Sequence, residues 1–555
     1  VAKAAFNFFV LDNSLFRYIE PLCLVTFNDG RMDKQGVTMK AQSFLSGAFV
    51  LAAAGIVVKL LGAAYRIPFT RIVGSEGIGI YQMAYPIYTT LLALSTAGIP
   101  VALSYLIAES RAVGDQRRAR QVFFVSLCFL LILGSIMAVG LYYISPFLAQ
   151  RVLGDPRVYH SLIAVTPAVF VISIVSAFRG YFQGWQLMWP TAFSEVVEQV
   201  VRIITVLMAA YLLMPRGVEY AAAGAASGTF TGGCAALLLL VLVFIWFEKR
   251  EMSGTAGRWR LGIRFTDVLR IIKRLFTYAV PISAGSLVLP LVQVIDTVII
   301  PNRLQDIGFT IEQATSLYGQ LSGMAGTVVY LPAAVTTSIA MSLVPHLSAA
   351  ISRNDLREVH QKINTSLRIT NMLCLPASAG IMVLATPIME LLFDDPSAGI
   401  ITAWLAAAAL FTGLQQTTAG ALQGIGKTWV PVINLIAGCS VKILCNYYLT
   451  VIPGFGIKGA ALGSVLGFFL VFLLNLISLS KLTGYRLRVG SLLIRPLLAV
   501  TIMVMAVLVI YAILIPMGNL IATGVSIIGG AVCYFAVLLI TKEIKAYNLR
   551  FSIKR

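Results

Sequence analysis

The chain has 555 residues, 58% of them hydrophobic and only 12% charged, and its mean hydropathy is +0.87. Soluble domains carry about 25% charged residues, so this composition excludes a soluble globular protein and points to a bilayer. A net charge of +19 would suit a nucleic-acid binder, but no basic–aromatic stripe lies on a soluble stretch. Basic loops on the cytoplasmic side of a membrane protein explain the charge more simply, and no nucleic-acid partner is expected.

Residues 1–42 have neither a long apolar run nor a small-residue cleavage site, so they do not read as a signal peptide. Met39-Lys40, just before the first apolar segment, looks like a natural start. The tail is expected to be disordered or to reflect a mis-assigned start. Apolar stretches of about 20 residues then predict about fourteen membrane helices. They fall near 44–67, 78–107, 121–145, 158–182, 189–213, 221–247, 275–301, 315–345, 365–389, 398–424, 429–452, 457–480, 491–515 and 518–541. The second and eighth are long, and Pro86, Pro100 and Pro332 are expected to kink them.

Motifs repeat along the chain in one order. Gly180-Tyr181-Phe182-Gln183-Gly184, followed by Trp189, returns 240 residues later as Gly420-Ala421-Leu422-Gln423-Gly424, followed by Trp429. Gly-Ala-Ala-x-Gly follows each, at Gly224–Gly228 and Gly459–Gly463. Upstream, Ser110-Arg111-Ala112-Val113-Gly114-Asp115 is echoed by Ile351-Ser352-Arg353-Asn354-Asp355. Duplicated helical units in a membrane protein usually make a transporter with its site between the copies.

The predicted organisation is an all-α polytopic membrane protein with an N-lobe of six helices over 43–247 and a C-lobe of six over 275–481. A cytoplasmic linker over 248–274 joins them. It contains a helix, Thr266 to Phe276, whose alternation of apolar and basic residues suggests that it lies on the inner leaflet. Two further helices occupy 482–545, and 546–555 form a basic tail. Six helices per lobe make the lobes parallel copies about an axis along the membrane normal. Arg and Lys gather after the second, sixth, eighth and twelfth segments and at the C-terminus, which places both termini in the cytoplasm. Seven scattered cysteines and three separated histidines suggest neither disulfides nor a metal site, and no cofactor is expected. No Walker motif occurs, so energy would come from an ion gradient, the membrane potential or the cargo's own gradient.

Charged side chains cost about 2.5–3.5 kcal/mol at a helix centre, so each one inside the membrane is a candidate site residue. Lys59 lies about two turns deep in the first helix, with Arg66 and Arg71 at its outer end, where snorkelling competes with function. Glu195, Glu198 and Arg202 share a face of the fifth helix, and Glu198 and Arg202 can pair at i, i+4. They form either a neutralised structural pair or a cavity-facing set in which the acids tune Arg202. A shift of 240 maps Arg202 onto Lys442, so both lobes place a cation at one depth. Arg179 stands near the inner end of the fourth helix. Asp296 in the seventh either pairs with a basic residue across the cavity or binds a coupling cation. The candidate substrate-binding residues are therefore Lys59, Arg66, Arg179, Arg202 and Lys442, with Glu195, Glu198 and Asp296 in coupling or gating.

Val58-Lys59-Leu60-Leu61-Gly62-Ala63-Ala64-Tyr65-Arg66-Ile67-Pro68-Phe69 and Gly74-Ser75-Glu76-Gly77-Ile78-Gly79-Ile80-Tyr81-Gln82 resemble the stage V sporulation protein B group of polysaccharide-type exporters. Phe178-Arg179-Gly180-Tyr181-Phe182-Gln183-Gly184 and Ala421-Leu422-Gln423-Gly424 do so too, and the resemblance covers about residues 40–545. The group belongs to the multidrug/oligosaccharidyl-lipid/polysaccharide superfamily, together with the lipid II flippases. The resemblance implies two six-helix lobes about a central cavity that opens to each side in turn. It implies a lipid-linked anionic glycan as cargo, with undecaprenyl-diphosphate-linked peptidoglycan precursor first, and a monovalent ion as a possible coupling partner. Basic residues on the first helix line the cavity of the lipid II flippases, and Lys59 and Arg66 match two such positions with one gap. Those relatives carry an acid early in the second helix and an arginine pair late in it, where this chain has Tyr81, Gln82 and Ala93-Leu94-Ser95-Thr96. Their last two helices form a lipid-tail groove, a role the thirteenth and fourteenth segments could share. The competing readings are a multidrug cation exporter of the same superfamily, an exporter of another lipid-linked polysaccharide, and a polytopic glycan polymerase or ligase. The basic character of the deep charges argues against the first, and the short outer loops against the last.

Overall fold

The computed structural model describes residues 44–96, 98–252, 265–487 and 494–541. The tails expected at 1–42 and 546–555, and residues 253–264 of the linker, lie outside the described residues. Every regular element among the described residues is a helix. The N-terminal unit contains α1 (Phe44–Ala64), α2 (Arg66–Thr96), α3 (Ile99–Ala112), α4 (Gln116–Phe147), α5 (Val158–Gly184), α6 (Trp189–Leu213) and α7 (Val218–Met252). The second unit contains α8 (Phe265–Asp306), α9 (Ile311–Tyr318), α10 (Gly326–Val329), α11 (Leu331–Ser352), α12 (Leu356–Val383), α13 (Ala385–Phe393), α14 (Ala398–Leu405), α15 (Ala407–Gly424), α16 (Trp429–Leu449) and α17 (Ile457–Thr483). The chain then continues into α18 (Arg495–Leu514) and α19 (Asn519–Ile540). Among the described residues, thirteen spans are long and apolar enough to cross a membrane, and Ala53–Ala64 of α1 forms a shorter apolar helix.

The two long segments are broken. The first helix ends at Ala64, and the chain bends again at Gly74, whose φ of 69° is one that L-residues rarely adopt. A second break falls before α3, where Gly98 has φ 76°. The eighth segment consists of α9, a π-helical turn at Gly319–Ala325, α10 and α11. Pro100 and Pro332 sit in the first turn of α3 and α11, where a missing N–H removes no helical bond. Pro86 lies inside α2.

The linker departs from expectation. Thr266 to Phe276 do not form a separate helix on the leaflet. They are the first turns of α8, which runs unbroken for 42 residues, or about 63 Å at 1.5 Å per residue. No Gly or Pro interrupts 265–280, so nothing stops the helix before the membrane segment. Ile271 and Leu275 are buried while Phe265 and Leu269 stay exposed. Arg274 bonds Glu109 of α3 at 2.8 Å.

The duplication is geometric. A Cβ on Gly180 would meet the Pro100 carbonyl at 2.9 Å, and one on Gly420 the Ala340 carbonyl at 2.9 Å. Gly184 faces Ser104 and Ile107, and Gly424 faces Val344 and Leu347. Every partner is displaced by the same 240 residues as its glycine. Asp115 accepts from the Arg118 N–H at 2.9 Å to cap α4, and Asp355 accepts from the Glu358 N–H at 2.9 Å to cap α12. The residue before each cap is left-handed, Gly114 at φ 78° and Asn354 at φ 55°. The glycines are thus conserved between the copies of this one chain for a physical reason: a side chain there would push apart helices that touch backbone to backbone.

Candidate functional site

The two units meet where α2 crosses α9 and the π-helical turn. A Cβ on Gly79 would lie 2.2 Å from the Thr315 carbonyl oxygen, and one on Gly319 would lie 2.1 Å from the Ser75 carbonyl oxygen. Residues 75 and 79 are the 240-shifted equivalents of 315 and 319, so the crossing lies on the pseudo-twofold axis. Gln82 donates to the carbonyl of Ser322, its own equivalent, at 3.1 Å. Ser75 and Ser316 share a hydrogen bond of 2.7 Å.

Further bonds fasten the end of the bundle away from the Arg-rich loops, here the far end. Asp155, in the turn before α5, is fully buried. It accepts from Thr315 Oγ1 at 2.8 Å and pairs with Arg157 at 2.8 Å. Arg157 also pairs with Glu76 of α2. Asn302 of α8 donates to the Val152 carbonyl at 2.9 Å. Arg71, which is exposed, donates to the carbonyls of Leu392, at 2.9 Å, and Leu391 at the C-terminal end of α13. That end of a helix carries unpaired carbonyls and partial negative charge. Sequence reading missed this cluster. A signal was present, because Asp155 and Asp395 are 240 residues apart, each follows a left-handed residue, Gly154 or Asp394, and each accepts a backbone N–H two residues on.

Just inside the crossing lies a cationic cluster of the N-terminal unit. Glu198 on α6 accepts from Arg179 on α5 at 2.9 Å and from Arg202 one turn along α6. Arg179 also donates to Ser194 at 3.1 Å. These side chains are 12–17% exposed. Glu195 is half-buried a turn earlier, within electrostatic reach of Arg179. Arg66 opens α2 and donates to Thr327 of α10 at 3.1 Å, so it bridges the two units. Arg66 and Arg202 both lie within electrostatic reach of Tyr81 and Tyr85. Arg179 and Arg202 share Glu198, and counting Arg66 and Glu195 these five side chains carry one formal positive charge.

In the second unit Lys442 on α16 pairs with Asp296 on α8, both about one-tenth exposed. Asn446 donates to the other Asp296 oxygen at 2.7 Å. Arg202 and Lys442 are structural equivalents: a Cβ on Gly232 would meet Arg202 Cβ at 3.2 Å, and one on Gly467 would meet Lys442 Cβ at 2.8 Å. Of the alternatives the sequence left open for these two cations, the structure has the paired one at both. Each shares a carboxylate, because a bare charge in this environment is costly. The acids come from different places, Glu198 from the same helix as Arg202 and Asp296 from α8. Asp296 pairs within its own unit, not across the cavity. Lys59 stays apart. It is exposed on α1 and has no hydrogen bond or ion pair among the described residues, three positions before Gly62, which faces Gln199 of α6. No group of three or more His, Cys, Asp or Glu suited to a metal occurs among the described residues.

This architecture has known counterparts. The family described as "Polysaccharide biosynthesis protein" matches residues 44–351, and the MatE family matches 322–448. Stage V sporulation protein B of Bacillus subtilis (strain 168) is 32% identical over 456 residues, covering 81% of this chain and 86% of that protein. Lipid II flippase MurJ of the same organism is 29% identical over 472 residues, covering 81% and 85%. Among solved structures, the inward-facing conformation of a multidrug resistance MATE family transporter of the MOP superfamily superposes with a TM-score of 0.62, at 17% identity over 78% of this chain and 98% of that one. At that identity the match speaks for the fold. One of these relatives is a lipid II flippase and the structural neighbour is a transporter, and this chain is a multi-pass protein of the bacterial cell membrane. With a family match over more than half its length and a relative aligned across most of both chains, it belongs to the polysaccharide biosynthesis protein family, within the stage V sporulation protein B group.

Proposed function

We propose that the protein flips an anionic lipid-linked cell-wall precursor from the cytoplasmic to the outer leaflet by alternating access. The observation that carries the reading is the arginine cluster beside the crossing. Arg66, Arg179 and Arg202 outnumber Glu195 and Glu198, so the interior between the lobes favours negative charge. An undecaprenyl-diphosphate headgroup offers that charge, and its tail can remain in lipid.

On this reading the Arg-rich end and both termini face the cytoplasm, the side that basic loops favour. The far-end bonds then close the outer face, and the headgroup enters from the inner leaflet. Lys59 meets it first, and Arg66 and Arg202 hold its diphosphate by charge-assisted hydrogen bonds. As the lobes rock, Arg66 parts from Thr327 and the crossing opens outward. Glu198 competes with the diphosphate for Arg179 and Arg202, which favours release. Lys442, matched by Asp296, fastens α16 to α8 and adds no net charge. Use in the spore cortex fits the likeness to stage V sporulation protein B. Export of organic cations, suggested by the MatE match, is disfavoured by the net positive interior.

The test is transport by the full chain in liposomes loaded with an undecaprenyl-diphosphate-linked muropeptide. Each charge-assisted hydrogen bond contributes about 1.5–3 kcal/mol. Arg66→Ala and Arg202→Ala should therefore each slow flipping about tenfold or more per folded molecule, after correction for the stability that Arg202→Ala loses with its bond to Glu198. Undiminished flipping in the double variant would reject the reading.

A further inference from the structure

The second helix carries a feature that the fold does not require. Tyr81, Tyr85 and Tyr88 form a ladder along α2. The rings of Tyr81 and Tyr85 stack at 5.7 Å and 22°, and those of Tyr85 and Tyr88 lie 5.8 Å apart at 49°. Phe69 meets Tyr81 edge-on at 5.3 Å, and the hydroxyls of Tyr65 and Tyr81 are 3.4 Å apart. Tyr81 and Tyr88 are buried, whereas Tyr85 keeps part of its surface open.

An aromatic row at helical spacing is most often plain core, and the duplicated fold provides the control. The 240-residue offset holds on both sides of this stretch, at Gly79 and Gly319 and again where Pro100 and Ala340 meet Gly180 and Gly420, and it pairs Tyr81, Tyr85 and Tyr88 with Leu321, Ala325 and Val328. All three are buried. The second unit makes the same crossing without an aromatic ring at any of these positions. Packing alone therefore does not demand the tyrosines, and a core needing only volume has no use for phenols, whose hydroxyls must be satisfied.

Their setting suggests a ligand. Both Arg66 and Arg202 lie within electrostatic reach of Tyr81 and Tyr85. A sugar joined to a diphosphate has the complementary layout, an anion next to a pyranose whose C–H face is weakly positive. An aromatic face is electron-rich and receives such a C–H face as it does a cation.

We propose that Tyr85, braced by Tyr81 and Tyr88, is a stacking platform for the first sugar of the lipid-linked headgroup, with Arg66 and Arg202 on its diphosphate. The inference rests on the flippase reading and adds the group that selects a glycosylated lipid over the bare lipid diphosphate. Stacking of this kind is worth about a two- to tenfold preference.

The experiment uses the full chain in lipid nanodiscs and compares the affinities of undecaprenyl diphosphate and undecaprenyl diphosphate-N-acetylglucosamine. Wild type should prefer the glycosylated lipid by about two- to tenfold. Tyr85→Leu should bring the two affinities together while keeping that for the bare diphosphate, and Tyr85→Phe should keep the preference. Arg202→Ala should weaken both lipids alike. Equal affinities in wild type would overturn the platform yet leave the flippase reading standing, and this readout needs no variant to fold. An unchanged preference in Tyr85→Leu would also overturn it. Binding of neither lipid by wild type would remove the flippase reading itself, and the platform with it.

Discussion

The crossing of α2 with the π-helical turn makes a sharp prediction about conformation. A methyl group at residue 319 would sit 2.1 Å from the Ser75 carbonyl oxygen and 2.7 Å from the Gly79 amide nitrogen. Both obstacles are backbone, so no side-chain rotation relieves the clash, and the helices must separate. Overpacking of this kind costs about 1–3 kcal/mol. At 1.4 kcal/mol per tenfold, Gly319→Ala shifts the balance away from the closed far end by about five- to 150-fold. The shift can be read with a reporter cysteine at Ala314, which is fully buried beside the crossing, after the seven native cysteines are replaced. A membrane-impermeant maleimide added outside should label the reporter faster in Gly319→Ala by that factor. Gly79→Ala should do the same, because its methyl would lie 2.2 Å from the Thr315 carbonyl oxygen. Labelling at the wild-type rate in both variants would mean that the backbones slide past each other at no cost, and the gate assignment would fail.

Three other outcomes are expected. Glu198→Gln leaves Arg179 and Arg202 facing each other without their shared carboxylate and should destabilise the protein by about 3 kcal/mol, with part recovered in Glu198→Gln/Arg179→Gln; an unchanged melting temperature in detergent would contradict the shared bridge. Lys442→Met and Asp296→Asn should each cost about 3–5 kcal/mol, whereas the double variant should melt near wild type and still transport, since the pair carries no net charge. A stable double variant without transport would return Lys442 to the binding site. Asp155→Asn should loosen the far end and raise maleimide labelling at Ala314, since the neutral amide weakens the pairing with Arg157; equal labelling would make the cluster a bystander.

What could be read from the sequence followed the range of the forces involved. Helices were legible because a bilayer requires about 20 apolar residues in a row. The duplication was legible because glycines recur wherever two backbones touch. The Glu198–Arg202 pair was legible because i, i+4 places both on one face. The Asp296–Lys442 pair was not, since 146 residues separate its members and only the packing of α8 on α16 joins them. Nor was the bond from Arg71, because nothing local shows the open carbonyls at the end of α13. The linker helix was misjudged as a separate element because its amphipathic pattern is the same whether it lies on a membrane or extends a spanning helix.

The two lobes share a scaffold and differ in side-chain chemistry. Backbone contacts repeat from one lobe to the other at Gly180 and Gly420, at Gly184 and Gly424, and at Gly232 and Gly467. The chemistry does not. One lobe keeps an excess cation and a tyrosine ladder; the other cancels its lysine with Asp296 and fills the ladder's place with aliphatic residues. For a carrier that rocks one lobe against the other, such a division has a physical use. If both lobes gripped an anionic headgroup equally, every outward swing would have to break a full set of charge-assisted bonds. With the grip concentrated on one lobe, the headgroup travels with that lobe, and the neutral lobe parts from it at smaller cost.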